Sequence, residues 1–331
     1  MKKICKLLLY SGTLLILNDA NALENALPYL NRPIAYQGDF GNVELWGQFD
    51  FSGKDLDFLG QAKSTQSSYI DKHTNYIAGL NAGLYKGFSL RYGYLSSKQS
   101  VLRAVEPKEI NTQYDGHDIR LEYLWDFSKN WNVAAQFGFR NHQVNPLEFT
   151  KYKSGILTFE KLDGSPIMEL ASSDHAYLFG LNLSKELLSD FKISIGLEGR
   201  FVEVDANFVI NESLLQNEAP QQTPWQEQHL VITAAAEWHI WKPFSVAIDF
   251  KHYQVWRDNY QAKAGKQDYD NNQQFDFYLF ANVYKGLTLY GHAQIMTHYL
   301  LGEVPLTYNT RTNHRFNTAY GFISGGFTYH F

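Results

Sequence analysis

Apolar and polar side chains alternate along about twelve segments of this chain, and the links between the segments alternate as well, short then long. A period of two marks a half-buried β-strand, because successive side chains point to opposite faces. Trp131, Val133, Ala135, Phe137 and Phe139 share one face, opposite Asn132, Ala134, Gln136 and Gly138. Ile119, Leu121, Tyr123, Trp125 and Phe127 stand against Asp118, Arg120, Glu122 and Asp126. Phe191, Ile193, Ile195, Leu197 and Phe201 oppose Ser194, Glu198 and Arg200. The expected strands are 41–51, 74–85, 88–97, 117–127, 131–141, 173–183, 191–204, 227–240, 244–256, 274–284, 287–298 and 315–331.

A soluble sandwich also alternates along its strands, so the links decide. The short ones are Lys86-Gly87, Ser128-Lys129-Asn130, residues 184–190, Trp241-Lys242-Pro243 and Lys285-Gly286. The long ones are about 52–73, 98–116, 142–172, 205–226, 257–273 and 299–314, all polar. Short turns at one end and long loops at the other predict an all-β, closed antiparallel up-and-down transmembrane barrel. An even strand count puts both chain ends on the short-turn, periplasmic side. Every short link holds a lysine, and most are flanked by aromatics, such as Tyr85 and Phe88 or Trp241 and Phe244. Rings with a polar tip favour the headgroup level.

Closure explains a composition that otherwise looks contradictory. Aromatics make up 16% of the chain, yet the mean hydropathy is −0.35. In hydrocarbon every backbone polar group must be paired, so a sheet has to close on itself. Only its outer face must then be apolar, and half of each strand can be polar. Other classes are excluded. Disordered chains lack this aromatic content. No stretch of about 20 apolar residues could cross as a helix. One cysteine makes no disulfide scaffold. A net charge of −5 leaves no basic footprint for nucleic acid.

Residues 1–22 read as a cleaved signal peptide. Lys2, Lys3 and Lys6 precede an apolar core at 7–17, and Ala20-Asn21-Ala22 supplies the cleavage motif. Cys5 lies before that core and is not placed as a lipid acceptor. Residues 23–40, with Pro28 and Pro33, read as a periplasmic arm, and 41–331 as the barrel.

The chain resembles Gram-negative outer-membrane β-barrel proteins. Its end, Gly325-Gly326-Phe327-Thr328-Tyr329-His330-Phe331, is similar to their C-terminal assembly signal: Phe331 is a terminal aromatic, Tyr329, Phe327 and Ile323 recur at alternate positions, and Gly325 departs from the pattern. The resemblance covers residues 23–331 as architecture. It implies a Gram-negative outer-membrane location, partners in the barrel-assembly machinery, and contact with outer-membrane lipid and lipopolysaccharide.

Projected inward, the alternation gives lumen candidates. The acids are Glu44, Asp50, Asp118, Glu122, Asp126, Glu198, Glu237, Asp249 and Asp276, and the bases Arg91, Arg120, Arg140, Arg200 and Lys251. His292 and His239 share the inward face. The surplus of acids predicts a mildly cation-favouring interior if the lumen is open. Arg120 with Glu122, Glu198 with Arg200, and Asp249 with Lys251 stand two apart on one strand, a spacing that predicts structural pairing. Twelve strands fall between barrels filled by their side chains and those with aqueous channels. Loop 142–172 could fold inward as a constriction or stand outward.

No catalytic set is expected. Asn141-His142-Gln143-Val144-Asn145 is similar to the His-x-Ser-Asn pattern of outer-membrane phospholipase and lipid A deacylase, but Val144 holds the nucleophile position. A base without a hydroxyl cannot make an acyl-enzyme. Asp174 and His175 are adjacent, so on a strand they face opposite ways. His292 and His298 stand six residues apart, about 20 Å, too far to share a metal. No cofactor is called for. The expected function is a channel or porin-like barrel for passive passage of small hydrophilic solutes. The alternatives are a surface barrel whose loops bind a partner and, third, an outer-membrane hydrolase.

Overall fold

A computed structural model describes residues 41–53, 68–103, 109–128, 130–149, 151–154, 157–210, 225–258, 270–297 and 320–331. The expected signal peptide with Ala20 and Ala22, the expected arm 23–40, Lys129 and His298 lie outside the described residues.

Twelve strands close into one antiparallel barrel: β1 (Val43–Gly53), β2 (Ser68–Tyr85), β3 (Phe88–Arg103), β4 (Glu109–Ser128), β5 (Trp131–Phe149), β8 (Met168–Leu188), β9 (Phe191–Ile210), β10 (Trp225–Trp241), β11 (Phe244–Asp258), β12 (Asn271–Tyr284), β13 (Leu287–Met296) and β14 (Tyr320–His330). A separate hairpin, β6 (Lys151–Ser154) with β7 (Leu157–Glu160), lies between β5 and β8 in sequence. Chain order equals wall order around the barrel, and β1 pairs with β14 to close it. That closing ladder runs from Glu44↔His330 to Phe51↔Ile323.

The alternation works as the sequence predicts. Phe137, Phe179, Leu181 and Ile195 point outward and are exposed, Leu181 by 59%. On β8 the apolar outward run Tyr177, Phe179, Leu181, Leu183 lies between His175 and Lys185. Ten residues at about 3.3 Å and a tilt near 40° give a band of about 25 Å, the height of a membrane barrel's apolar girdle.

Loop 142–172 is shorter than the sequence suggests. β5 continues to Phe149 and β8 begins at Met168, in register through Phe149↔Met168, with a shift between Val144 and Leu147. Above the apolar band neither face of a strand must be apolar, so period two fades there and the extension is invisible to it. The wall is therefore uneven. β4, β5, β8 and β9 run 20, 19, 21 and 20 residues, whereas β13, β14 and β1 run 10, 11 and 11.

All the short turns share one device. Register shifts one residue before the turn, between Gly83/Tyr85, Asp126/Ser128, Glu186/Leu188, His239/Trp241 and Asn282/Tyr284. Such a bulge adds a residue and breaks the strict alternation. Consecutive apolar residues, Leu84-Tyr85, Leu187-Leu188 and Ile240-Trp241, can then all be exposed at the rim. Lys86 and Gly87 both have positive φ, 41° and 87°. Two such residues make the tight turn whose twist matches a hairpin. Lys185 sits over the Trp131 ring at 4.6 Å, and Lys86 over Tyr85 at 4.9 Å.

Candidate functional site

Large side chains fit inside this lumen because glycines face them from neighbouring strands. A Cβ on Gly79 would come within 2.2 Å of the Trp46 ring, and one on Gly326 within 2.2 Å of Tyr290. Trp46, Tyr290 and the cluster of Tyr278 and Phe280 are all buried on the inward face. The sequence reading assigned charged groups to this face and missed these rings. Their parity marked them, since Trp46 alternates with Glu44 and Tyr278 with Asp276.

Above the rings runs a polar belt. Asp118 clamps Arg120 with both oxygens, at 2.8 Å to Nε and 3.0 Å to Nη2. Arg120 Nη1 then reaches Glu198 Oε2 at 3.1 Å, across the two intervening strands. The Gln136 amide donates to the same oxygen at 2.7 Å. Gly138 and Gly180 leave space for this crossing: a Cβ would meet Arg120 Cγ at 2.9 Å or Gln136 Nε2 at 2.6 Å. Glu198 Oε1 also takes Arg200 Nε at 2.6 Å. The Arg200 guanidinium lies 5.5 Å from the Tyr253 ring centre. Tyr253 donates to Gln274 at 3.1 Å, and Gln274 to Asp276 at 2.7 Å. Asp276 further accepts from Lys251 (3.2 Å), His292 (2.8 Å) and Gln294 (2.9 Å). His292 stacks on Tyr278 with centroids 4.2 Å apart and an interplanar angle of 4°. The belt thus links β4 to β13 around most of the lumen.

Two cavities flank it. Toward the long-loop end lies a basin of about 140 Å³, walled among others by Asp50, Asp118, Arg140, His142, Arg200, His229, Tyr253 and His292. The smaller cavity, about 30 Å³, is walled by Arg120, Gln136, Glu198, Arg200, Lys251, Thr233 and Tyr253. Arg200 and Tyr253 belong to both walls.

Glu44, Asp50, Arg91, Asp118, Arg120, Glu122, Arg140, Glu198, Arg200, Glu237, Asp249, Lys251, Asp276 and His292 all stand on the inward parity of their strands. Asp126 shares that parity but is exposed at the short-turn rim. Of the expected pairs, Glu198–Arg200 forms. In the other two the short contacts go elsewhere, Glu122 to Arg91 at 3.1 Å, Arg120 to Asp118 and Glu198, and Lys251 to Asp276, while Glu122 and Asp249 still act on Arg120 and Lys251 through their charge. Arg91 and Lys251 reach their partners diagonally across adjacent strands, since Ser89 stands opposite Glu122 and Asp249 opposite Asp276; that separation, about 7 Å, matches two residues along one strand, so long side chains can turn either way. Outside the belt, Glu44 accepts from Asn81 at 2.6 Å and has His330 Nε2 within 2.7 Å of its other oxygen, while Asp50 accepts from Gln48 at 2.5 Å and from Asn75 at 3.0 Å. Glu237 lies 3.5 Å from His239. Phe327 and Tyr329 of the C-terminal motif point outward, and Phe331 N–H bonds the Val43 carbonyl at 3.1 Å.

Several lumen groups escaped the sequence reading. His142 Nδ1 pairs with Asp174 at 2.9 Å, while His175 points outward to Glu203, also at 2.9 Å. Glu227 holds His229 at 2.7 Å, Arg257 at 2.8 Å and Trp225 Nε1 at 2.9 Å. Glu227 and His229 share parity with Glu237 and were legible. Arg257 lay one residue beyond the expected strand end. A serine–histidine contact also exists, His73 Nε2 to Ser97 Oγ at 2.9 Å, with both residues at 0% exposure.

No family model matches the chain, and no curated protein matches it. Among solved structures the barrel is similar to the translocator domain of the autotransporter NalP from Neisseria meningitidis, with a TM-score of 0.53 and 11% identity over 88% of each chain. The β domain of the Bordetella autotransporter Brka gives 0.51 and 10% identity over 87% of this chain and 98% of that one. The NanC porin gives 0.44 and 13%, covering 87% and 98%. At such identities the likeness is one of fold.

Proposed function

We propose that this chain is an outer-membrane barrel that passes small hydrophilic solutes through a narrow lumen. The carrying observation is two cavities inside one closed wall, with Arg200 and Tyr253 common to both. Between the two cavities stands a partition that includes the Arg200–Tyr253 contact, of a kind worth about 0.5–2 kcal/mol. The apolar girdle of about 25 Å supports a membrane location. Planar-bilayer recording of the purified barrel is the test. Discrete small conductances are expected; a folded barrel with no conductance above background overturns the reading.

The tall β4–β9 wall favours a second reading, in which the β6–β7 hairpin binds a partner. Removing residues 150–166 above the Phe149↔Met168 pair separates the two. A channel keeps its conductance, whereas a binder loses its partner. Hydrolysis has less support: Val144 is buried beside Tyr114, and Ser97 with His73 is sealed from substrate.

A further inference from the structure

We infer that the basin binds a neutral polyhydroxylated solute of about five carbons, a pentitol or a pentose. The inference deepens the channel reading and rests on it for passage; binding stands on the cavity alone.

Charge gives the lining no preference for an ion. Asp50 and Asp118 line the basin, and so do Arg140 and Arg200. Two acids against two bases, with histidine counted neutral, leave no net charge. Behind the lining, four acids (Asp174, Glu198, Glu227 and Asp276) stand against three bases (Arg120, Lys251 and Arg257). That layer offers an anion nothing. Its extra acid is a weak lure for a cation, since each of the four already meets a protein cation or an imidazole.

What the lining does offer is donors and acceptors side by side. A side-chain amide carries two donor hydrogens and two acceptor lone pairs. Gln48 uses one of each, donating to Asp50 and accepting from Tyr290. Gln274 does the same, donating to Asp276 and accepting from Tyr253. Gln294 donates once, to Asp276. All three line the basin, from β1, β12 and β13. Their remaining donors and acceptors suit a hydroxyl, which donates one hydrogen and accepts at its oxygen. Acetate could use only the donors, and tetramethylammonium neither. From β2, β3 and β4, Ile77, Leu95 and Tyr114 give the same basin an apolar face, with Leu95 packed on Tyr114. A polyol chain has both surfaces, hydroxyls along its edge and C–H groups between them. The volume sets its length. About 140 Å³ has room for on the order of ten waters, and a pentitol, with about ten heavy atoms, would replace them one for one.

The experiment uses the folded full-length barrel in a detergent without a sugar headgroup. Ribitol is the probe, with acetate and tetramethylammonium at equal concentration beside it. Saturation-transfer NMR should show transfer to the ribitol C–H protons, and weaker transfer or none to the two ions. Gln294→Leu removes one amide yet leaves Asp276 with Lys251, His292 and Gln274, so the belt stays paired. It should weaken ribitol about fivefold, the worth of one hydrogen bond. Leu95→Trp fills the cavity and should abolish transfer; if that barrel does not fold, Ile77→Phe narrows the same basin and should weaken ribitol in its place. No transfer to ribitol in the wild type, stronger transfer to either ion, or ribitol binding undiminished in the folded variants overturns the site. Passage is read separately, by the swelling of proteoliposomes in ribitol. A barrel that binds ribitol but neither conducts nor swells leaves the site standing and sinks the channel. One that conducts without binding ribitol keeps the channel and sinks the site.

Discussion

Two arcs of the lumen bury carboxylates in different company. On the β4–β13 belt, Asp118, Glu198 and Asp276 are met by Arg120, Arg200 and Lys251. On β1, Glu44 and Asp50 are met by the amides of Asn81, Asn75 and Gln48 and by the His330 ring. Reach accounts for one contact. β1 carboxylates bond within β1 and to β2 and β14, where a short amide suffices. Arg120 must cross from β4 to β9, a span its long guanidinium covers above Gly138 and Gly180. A buried ion pair loses desolvation energy that its Coulomb gain barely returns, but removing one partner is costly. The belt arc should therefore be the brittle one and the amide arc the tolerant one.

Substitutions can break or sharpen that contrast. Glu198→Ala strips a shared carboxylate from Arg120 and Arg200. It should cost about 3–5 kcal/mol in urea unfolding followed by tryptophan fluorescence. A cost below that of the amide variants would end the comparison. Gly138→Val places methyls against Arg120 Cγ and should lose about 1–3 kcal/mol through overpacking. Asn81→Leu leaves Glu44 with His330 alone, for about 1–2 kcal/mol, and its loss should exceed that of an outward Leu181→Ala only slightly. Smallest should be Tyr253→Phe, which keeps the ring under Arg200 and deletes one hydrogen bond to Gln274, about 0.5–1.5 kcal/mol.

Fold and lumen parity were legible because hydrocarbon enforces period two on every strand that crosses it. Legibility ended where that pressure ends. The extensions of β5 and β8 past His142 and Asp174 sit above the apolar band; His142 lay one residue beyond its expected strand end, and its pairing with Asp174 was missed with it. Pairing was legible only within a strand, as for Glu198 and Arg200. Arg120 to Glu198 depends on which strands glycine opens, through Gly138 and Gly180, and that requires the register. The inward rings of Trp46 and Tyr290 were hidden for the same reason: each needs a glycine on the next strand, Gly79 or Gly326.

The β1–β14 ladder has a kinetic meaning. Every other rung of the barrel joins strands that follow one another along the wall and in the chain, so each can form as a hairpin with a short or moderate loop. The rungs from Glu44↔His330 to Phe51↔Ile323 alone join the two ends of the sheet. Their loop-closure entropy is the largest of any pairing, and pairings of high sequence separation are the slow ones. Until they zip, both edges of an otherwise finished sheet stand open to any other strand. The yield of barrel over aggregate is thus decided at one ladder, late, and Phe49→Pro or Phe327→Pro should show up as failed closure.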